Sequence, residues 1–138
     1  MPDLVLVPAE ILPGAGATFT YGTAGVAITA GQVCYLDGTT RALTLADANG
    51  SVATAAVKGI AMHGATTGQP LTLQRGGDVT LGAGAALTVG GLYVLSSNPG
   101  MIAPAGDLAA GHFTTLLGVA VSATALRLQM LPSGVAHG

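Results

Sequence analysis

Gly31-Gln32-Val33-Cys34-Tyr35-Leu36 returns 59 positions later as Gly90-Gly91-Leu92-Tyr93-Val94-Leu95. At the same spacing Gly59-Ile60-Ala61 returns as Gly118-Val119-Ala120, and after a change in loop length Leu71-Thr72-Leu73-Gln74 matches Leu126-Arg127-Leu128-Gln129. The order is glycine, strand, loop, Gly-aliphatic-Ala strand and hairpin strand, twice over. Two copies are too few for a long solenoid, so the repeat predicts two similar β-units that share one core.

Outside the repeat the same local pattern holds. Apolar and other residues alternate with period two in Leu71-Thr72-Leu73-Gln74, Val79-Thr80-Leu81 and Leu126 to Met130, as half-buried strands require, and Leu4 to Val7 and Thr18 to Tyr21 are read as strands as well. Turn chemistry punctuates them at Asp37-Gly38, Asn49-Gly50 and Asn98-Pro99-Gly100. Arg75-Gly76-Gly77-Asp78 is expected to be a hairpin loop between strands 71–75 and 78–81. Gly82-Ala83-Gly84-Ala85-Ala86-Leu87 opens like a dinucleotide loop but lacks the βαβ context, and reads as a β-turn region. Helical signals are confined to Ser51–Lys58 and Asp107–Ala110, one or two turns each. The expected fold is therefore all-β: a compact β-barrel or β-sandwich body over 25–138 with one or two short helices, preceded by an extended N-terminal arm, 1–24.

The chain has 138 residues, enough for one domain, and its composition suits burial, with half of its residues hydrophobic. Only 7% are charged, against roughly 25–35% on a comfortable soluble surface. A folded monomer of this mass exposes roughly 6,500 Å². Ten charged side chains cannot dominate that area, so Ala, Gly, Thr and Val must cover much of it, and such a surface usually meets another protein. The net charge is −2, and Arg41, Lys58, Arg75 and Arg127 are scattered singly, which disfavours nucleic acid as a partner. No uncharged stretch stays strongly apolar long enough to be a membrane span. The first basic residue is Arg41, so no export signal is expected, and a single Cys allows no intrachain disulfide.

Pro2, Pro8, Pro13 and Gly14-Ala15-Gly16 keep the arm from being helical, while Leu4, Leu6, Ile11, Leu12, Phe19 and Tyr21 make it too apolar for a solvated tail. It is expected to lie either on its own sheet or on a neighbouring subunit by strand addition. Those six residues are the candidate subunit or capsid interface.

Catalytic and metal chemistry find little support. His63, His112 and His137 are not paired at ligand spacing and read as turn or terminal histidines, so no metal site is expected. Cys34 could be imagined with His63 and an Asp as a nucleophilic triad, but it lies mid-strand between Val33 and Tyr35, where a buried small hydrophobe is the ordinary explanation. The six acids are isolated, three of them beside Gly in turn-like stretches. The expectation is a protein without catalytic residues or cofactor.

Thr29-Ala30-Gly31-Gln32-Val33-Cys34-Tyr35-Leu36-Asp37, Val57 to Ala65 and Gly68 to Gln74 together resemble the bacteriophage capsid decoration, or cement, proteins. The resemblance continues through Gly91 to Ser96, Gly100 to Pro104 and Leu117 to Ser122, and covers most of residues 25–131. Order and spacing carry it, because each motif is built of common small residues. It implies a β-barrel or sandwich body, made in the bacterial host cytoplasm, that assembles as a homotrimer on the exterior of the virion's capsid. There it would bridge neighbouring subunits of the phage major capsid protein, with an N-terminal segment contributing contacts. The alternative is a surface β-domain that binds glycan or a host-surface ligand, although the chain offers no Trp, three Tyr and two Phe for stacking on sugars.

Overall fold

The computed structural model describes Leu4 and residues 6–48, 54–96, 98–105 and 113–136. Ten strands form one curled, antiparallel sheet: β1 (Leu12–Pro13), β2 (Thr18–Thr23), β3 (Val33–Leu36), β4 (Leu43–Leu45), β5 (Val57–Ala61), β6 (Pro70–Thr80), β7 (Leu92–Leu95), β8 (Ile102–Pro104), β9 (Phe113–Ala120) and β10 (Ala125–Ala136). Hydrogen-bonded neighbours follow the path β4-β3-β5-β6-β10-β9-β7-β8, with β1 and β2 also paired to β6. The all-β class read from the alternating pattern is the class of this structure.

The two copies of the repeat are two copies of one pairing scheme. In the first, Val33 faces Ile60, Cys34 faces Gly59 and Tyr35 faces Val57, with a bulge before Tyr35. In the second, Leu92 faces Val119, Tyr93 faces Gly118 and Val94 faces Leu116, with the bulge in the same place. The third strand agrees as well: Cys34, Tyr35 and Leu36 face Leu45, Thr44 and Leu43, while Tyr93, Val94 and Leu95 face Pro104, Ala103 and Ile102. Backbone bonds repeat too, with Gly31 N–H on Ala61 O (2.8 Å) and Gly90 N–H on Ala120 O (2.8 Å). At the fourth strand the sequence match is out of step. Ala61 faces Leu73 and Ala120 faces Leu126, so Leu73 corresponds to Leu126 and not to Leu128. A slip of two residues keeps every side chain on its face, which is why the sequence alone cannot detect it.

Gly59 and Gly118 hold the same station in the two units. A Cβ on Gly59 would lie 2.8 Å from Gln74 O, and one on Gly118 would run into Arg127 O. The hairpin partner crosses too closely for any side chain.

Two hydrophobic cores result. The smaller one lies inside the first unit and gathers Ala24, Ile28, Cys34, Leu43, Ala61, Leu71 and Leu73. Their counterparts Tyr93, Ile102, Ala120 and Leu126 belong to the larger core. That larger core also takes Val33, Val57 and Ile60 from the opposite face of the first unit. At Val33-Cys34 and Ile60-Ala61 strands β3 and β5 are thus buried on both faces, and the first unit packs its outer face against the inner face of the second. Thr115 on β9, fully buried, ties the two together by donating its hydroxyl to Ala55 O (2.5 Å).

The segment Arg75-Gly76-Gly77-Asp78 is not a hairpin loop, because β6 runs unbroken from Pro70 to Thr80. Its ladder with β2 slips by one residue, Phe19 facing Gln74 and Thr18 facing Gly76. The glycine pair serves a close crossing: a Cβ on Gly76 would meet Thr18 Oγ1 at 2.6 Å, and one on Gly77, at φ 77°, would strike the backbone of Gly16 and Ala17. Gln74, fully buried at this bulge, donates its amide N–H groups to Gly76 O (2.9 Å) and Asp78 O (2.8 Å). Turn residues signal a reversal and a bulge alike, hence the difference.

The expected short helices are also corrected. Within Ser51–Lys58 the described residues form a turn that leads into β5, which begins at Val57, and Val57 pairs with Tyr35 of β3. The described helical turns are two 3-10 turns at Pro8–Glu10 and Ala83–Ala85. Asp107–Ala110 and Asn49-Gly50 lie outside the described residues.

The N-terminal segment lies on its own sheet. Leu4 N–H donates to Ile102 O (2.8 Å) at the edge of β8, and Gly25 N–H donates to Leu43 O (2.8 Å) at the edge of β4. Leu43 and Ile102 are counterparts, so one stretch of chain ties down the same edge in both units. Between these points β1 and β2 run antiparallel along β6.

Candidate functional surface

Cys34 is fully buried in the small core, and burial pushes its thiol up to about 12, away from the thiolate that nucleophilic chemistry needs. His63 caps a hairpin: its Nε2 accepts the Thr72 N–H (3.1 Å), and its Nδ1 lies 2.9 Å from Gly64 O. Ser122, at the counterpart position in the second unit, accepts the Ala125 N–H through its hydroxyl (3.0 Å). His63 thus serves as a structural cap of this hairpin. His112 and His137 lie outside the described residues, and among the described residues no three His, Cys, Asp or Glu side chains are grouped to hold a metal ion.

The six residues expected at an interface divide into two groups. Leu4 (7% exposed) and Ile11 (4%) are part of the large core, and Leu6 packs against it. Leu12 (57%), Phe19 (38%) and Tyr21 (74%) stand exposed. Sequence reasoning did not single out a second group: Val89 (65%), Leu92 (50%), Val121 (38%) and Leu131 (65%) are exposed on and around β7, β9 and β10. The repeat contained the signal, since Leu92 repeats Val33 and Val89 repeats Ala30, but only the packing of the units distinguishes a covered copy from an uncovered one.

Charged side chains come together at two places among the described residues. Arg127 Nε donates to Asp78 Oδ1 (2.9 Å) across the β6–β10 ladder, and the carboxylate holds the guanidinium above its ordinary value. Lys58 and Arg75 line one cleft of about 240 Å³ together with Thr20, Val57 and Met130. A smaller cleft of about 100 Å³ lies where Leu4, Leu6 and Pro8 cross Gly31, Gly100 and Met101. Asp37 sits in a turn, its Oδ1 accepting the N–H groups of Thr40 (3.0 Å) and Thr39 (2.8 Å), which holds its carboxyl below the usual range.

The surface totals 6344 Å², close to the area expected for a folded monomer of this mass. No described helix is long and apolar enough to cross a membrane. No protein-family model matches the chain, and no curated protein matches it significantly.

Proposed function

We propose that this chain is a non-enzymatic structural protein of a phage virion, a capsid decoration or cement protein. In this reading it sits as a homotrimer on the exterior of the head and holds neighbouring subunits of the major capsid protein together. The observation that carries the reading is the exposure of large apolar side chains, Leu12, Phe19 and Tyr21 along the N-terminal segment and Val89, Leu92, Val121 and Leu131 on the second unit, in a chain that is 7% charged. Patches of this kind mark protein contacts. The resemblance across most of residues 25–131 supports the same reading.

Mechanically, a cement protein needs many modest contacts and no chemistry. A trimer that touches several shell subunits acts through effective concentration, so that separating two subunits requires breaking several contacts at once. Binding the assembled shell in preference to free subunits then stabilises the shell by linkage. Leu12, Phe19 and Tyr21 are assigned to the shell contact, while Leu4 and Ile11 act within the subunit.

The test adds the purified full chain to undecorated heads built from the major capsid protein of its own phage. Co-sedimentation in saturable amounts, with heads that come apart at a higher temperature, is the expected result. Heads that take up no protein and melt unchanged would overturn the reading. The cleft holding Lys58 and Arg75 favours a second reading, a surface module that binds an acidic glycan. Binding to acidic sugars on a glycan array, lost in Lys58→Ala and Arg75→Ala, would select it.

A further inference from the structure

Strands β5 and β6 each carry one residue more than a neighbour they pair with, and in both the extra residue is a cation. On β5, Gly59 faces Cys34 and Val57 faces Tyr35, so Lys58 between them has no partner on β3. On β6, Gln74 faces Phe19 and Gly76 faces Thr18, which leaves Arg75 without a partner on β2. A bulge re-aims the side chain of its extra residue, and these two line the same cleft of about 240 Å³, together with Thr20, Val57 and Met130. The second unit fills the same two positions differently. Leu117 is the extra residue of the β9 bulge and corresponds to Lys58. Gln74 faces Ile60 and Arg127 faces Val119, so the next residues, Arg75 and Leu128, correspond as well. Both leucines are buried in the large core. The pairing scheme thus accepts an apolar pair at these positions, and the first unit instead sets two like charges beside one cleft. Among the described residues neither cation is in an ion pair, whereas Arg127 is held by Asp78 at 2.9 Å.

We infer that this cleft is the seat of a carboxylate, an Asp or Glu side chain of the shell protein that the chain is proposed to hold. The inference rests on the cement reading and deepens it by naming the group that the shell presents. Three observations select this occupant. First, two cations without an ion pair of their own call for an anion, and the anions that an unmodified protein surface offers at neutral pH are carboxylates. Second, Val57 and Met130 line the cleft beside the cations, which suits the methylene stem of such a side chain. A sugar ring is held by aromatic faces, and no aromatic side chain among the described residues lines this cleft. Third, Thr20 borders the cleft from β2, where it lies between the exposed Phe19 and Tyr21 assigned to the shell, so one strand presents both contacts.

Binding of the full chain to undecorated heads, measured over a series of salt concentrations, tests this. The variants are Lys58→Leu and Arg75→Leu, which install the residue type that the second unit has at these positions, and Lys58→Glu and Arg75→Glu, each checked for a wild-type circular dichroism spectrum. The wild type is expected to bind, and to bind more weakly as salt rises. Each Leu variant should bind about 10-fold more weakly with a flatter salt dependence, and each Glu variant more weakly still, because it sets like charge against the shell carboxylate. Should a Glu variant fail to fold, the Leu variants carry the test. Leu and Glu variants that bind like the wild type at every salt concentration would overturn the carboxylate seat and leave the cement reading intact. A wild type that does not bind heads would overturn the cement reading, and this inference with it. Binding to acidic sugars on a glycan array that is lost in both Leu variants, while their attachment to heads is unchanged, would give the cleft to a glycan and overturn the inference.

Discussion

Val33 and Leu92 occupy the same position of the same strand in the two units, yet Val33 is fully buried and Leu92 is half exposed. Their strand partners, Ile60 and Val119, differ in the same sense. Pairing register is set by local matters, chiefly the glycine at the close crossing, the bulge and the period-two pattern, and it is therefore duplicated faithfully. Which face ends up covered depends on how the units stack, and stacking is a property of the pair. One unit packed on another covers one outer face and leaves Val89, Leu92 and Val121 of the other exposed. The repeat thus gives both a core and a partly uncovered copy of a core-forming surface.

The largest expected effect lies at the shared glycine. Gly59→Ala and Gly118→Ala should each destabilise the chain by about 3 kcal/mol or more, because the contact met is backbone that cannot move aside without breaking the ladder. Urea unfolding should give similarly large losses for both. A tolerant Gly118 beside an intolerant Gly59 would mean that the units are not equivalent.

The next largest effects should divide the N-terminal segment. Leu4→Ala and Ile11→Ala remove side chains from the large core and should cost about 2–4 kcal/mol each. Leu12→Ala and Tyr21→Ala should stay within about 0.5 kcal/mol in the free protein, while weakening attachment to heads. Equal losses for all four in thermal denaturation would contradict the division.

Smaller differences should sharpen the contrast inside the units. Cys34 and Tyr93 are counterparts, both buried, but Tyr93 also accepts the Thr88 N–H on its hydroxyl (2.9 Å). Tyr93→Phe should therefore cost about 1 kcal/mol by equilibrium unfolding. Cys34 makes its contribution through burial of the neutral thiol. Because the folded thiol titrates near 12 against an ordinary 9.0, its contribution is intact below pH 9 and is lost as pH rises from there towards 12. Alkylation at pH 8 should accordingly be slow in the native protein and fast in denaturant, and rapid labelling of the native protein would refute this placement.

Much of this fold was legible. The repeat between 31–36 and 90–95 corresponds to two identical pairing schemes, and the Gly-aliphatic-Ala strands mark the close crossings. The glycine pair at 76–77 misled because a bulge and a reversal use the same residues, and only the length of β6 distinguishes them. The two-residue slip at Leu126 was invisible for the reason that makes strands robust, since it alters no face. Burial of Leu4 and Ile11 against exposure of Leu12 could not be read either, because all are apolar and their fates depend on which sheet edge the segment meets. The patch at Val89, Leu92 and Val121 was written in the repeat, but only as half of a comparison.

The measurement that reaches the centre of this account is hydroxyl-radical footprinting of the full chain, first diluted, then concentrated, then bound to undecorated heads. Leu12, Phe19, Tyr21, Val89, Leu92 and Leu131 are expected to react freely in the dilute chain and to become protected as contacts form, at the latest when heads are added. Oxidation of Leu92 and Leu131 that stays the same in all three states would contradict it.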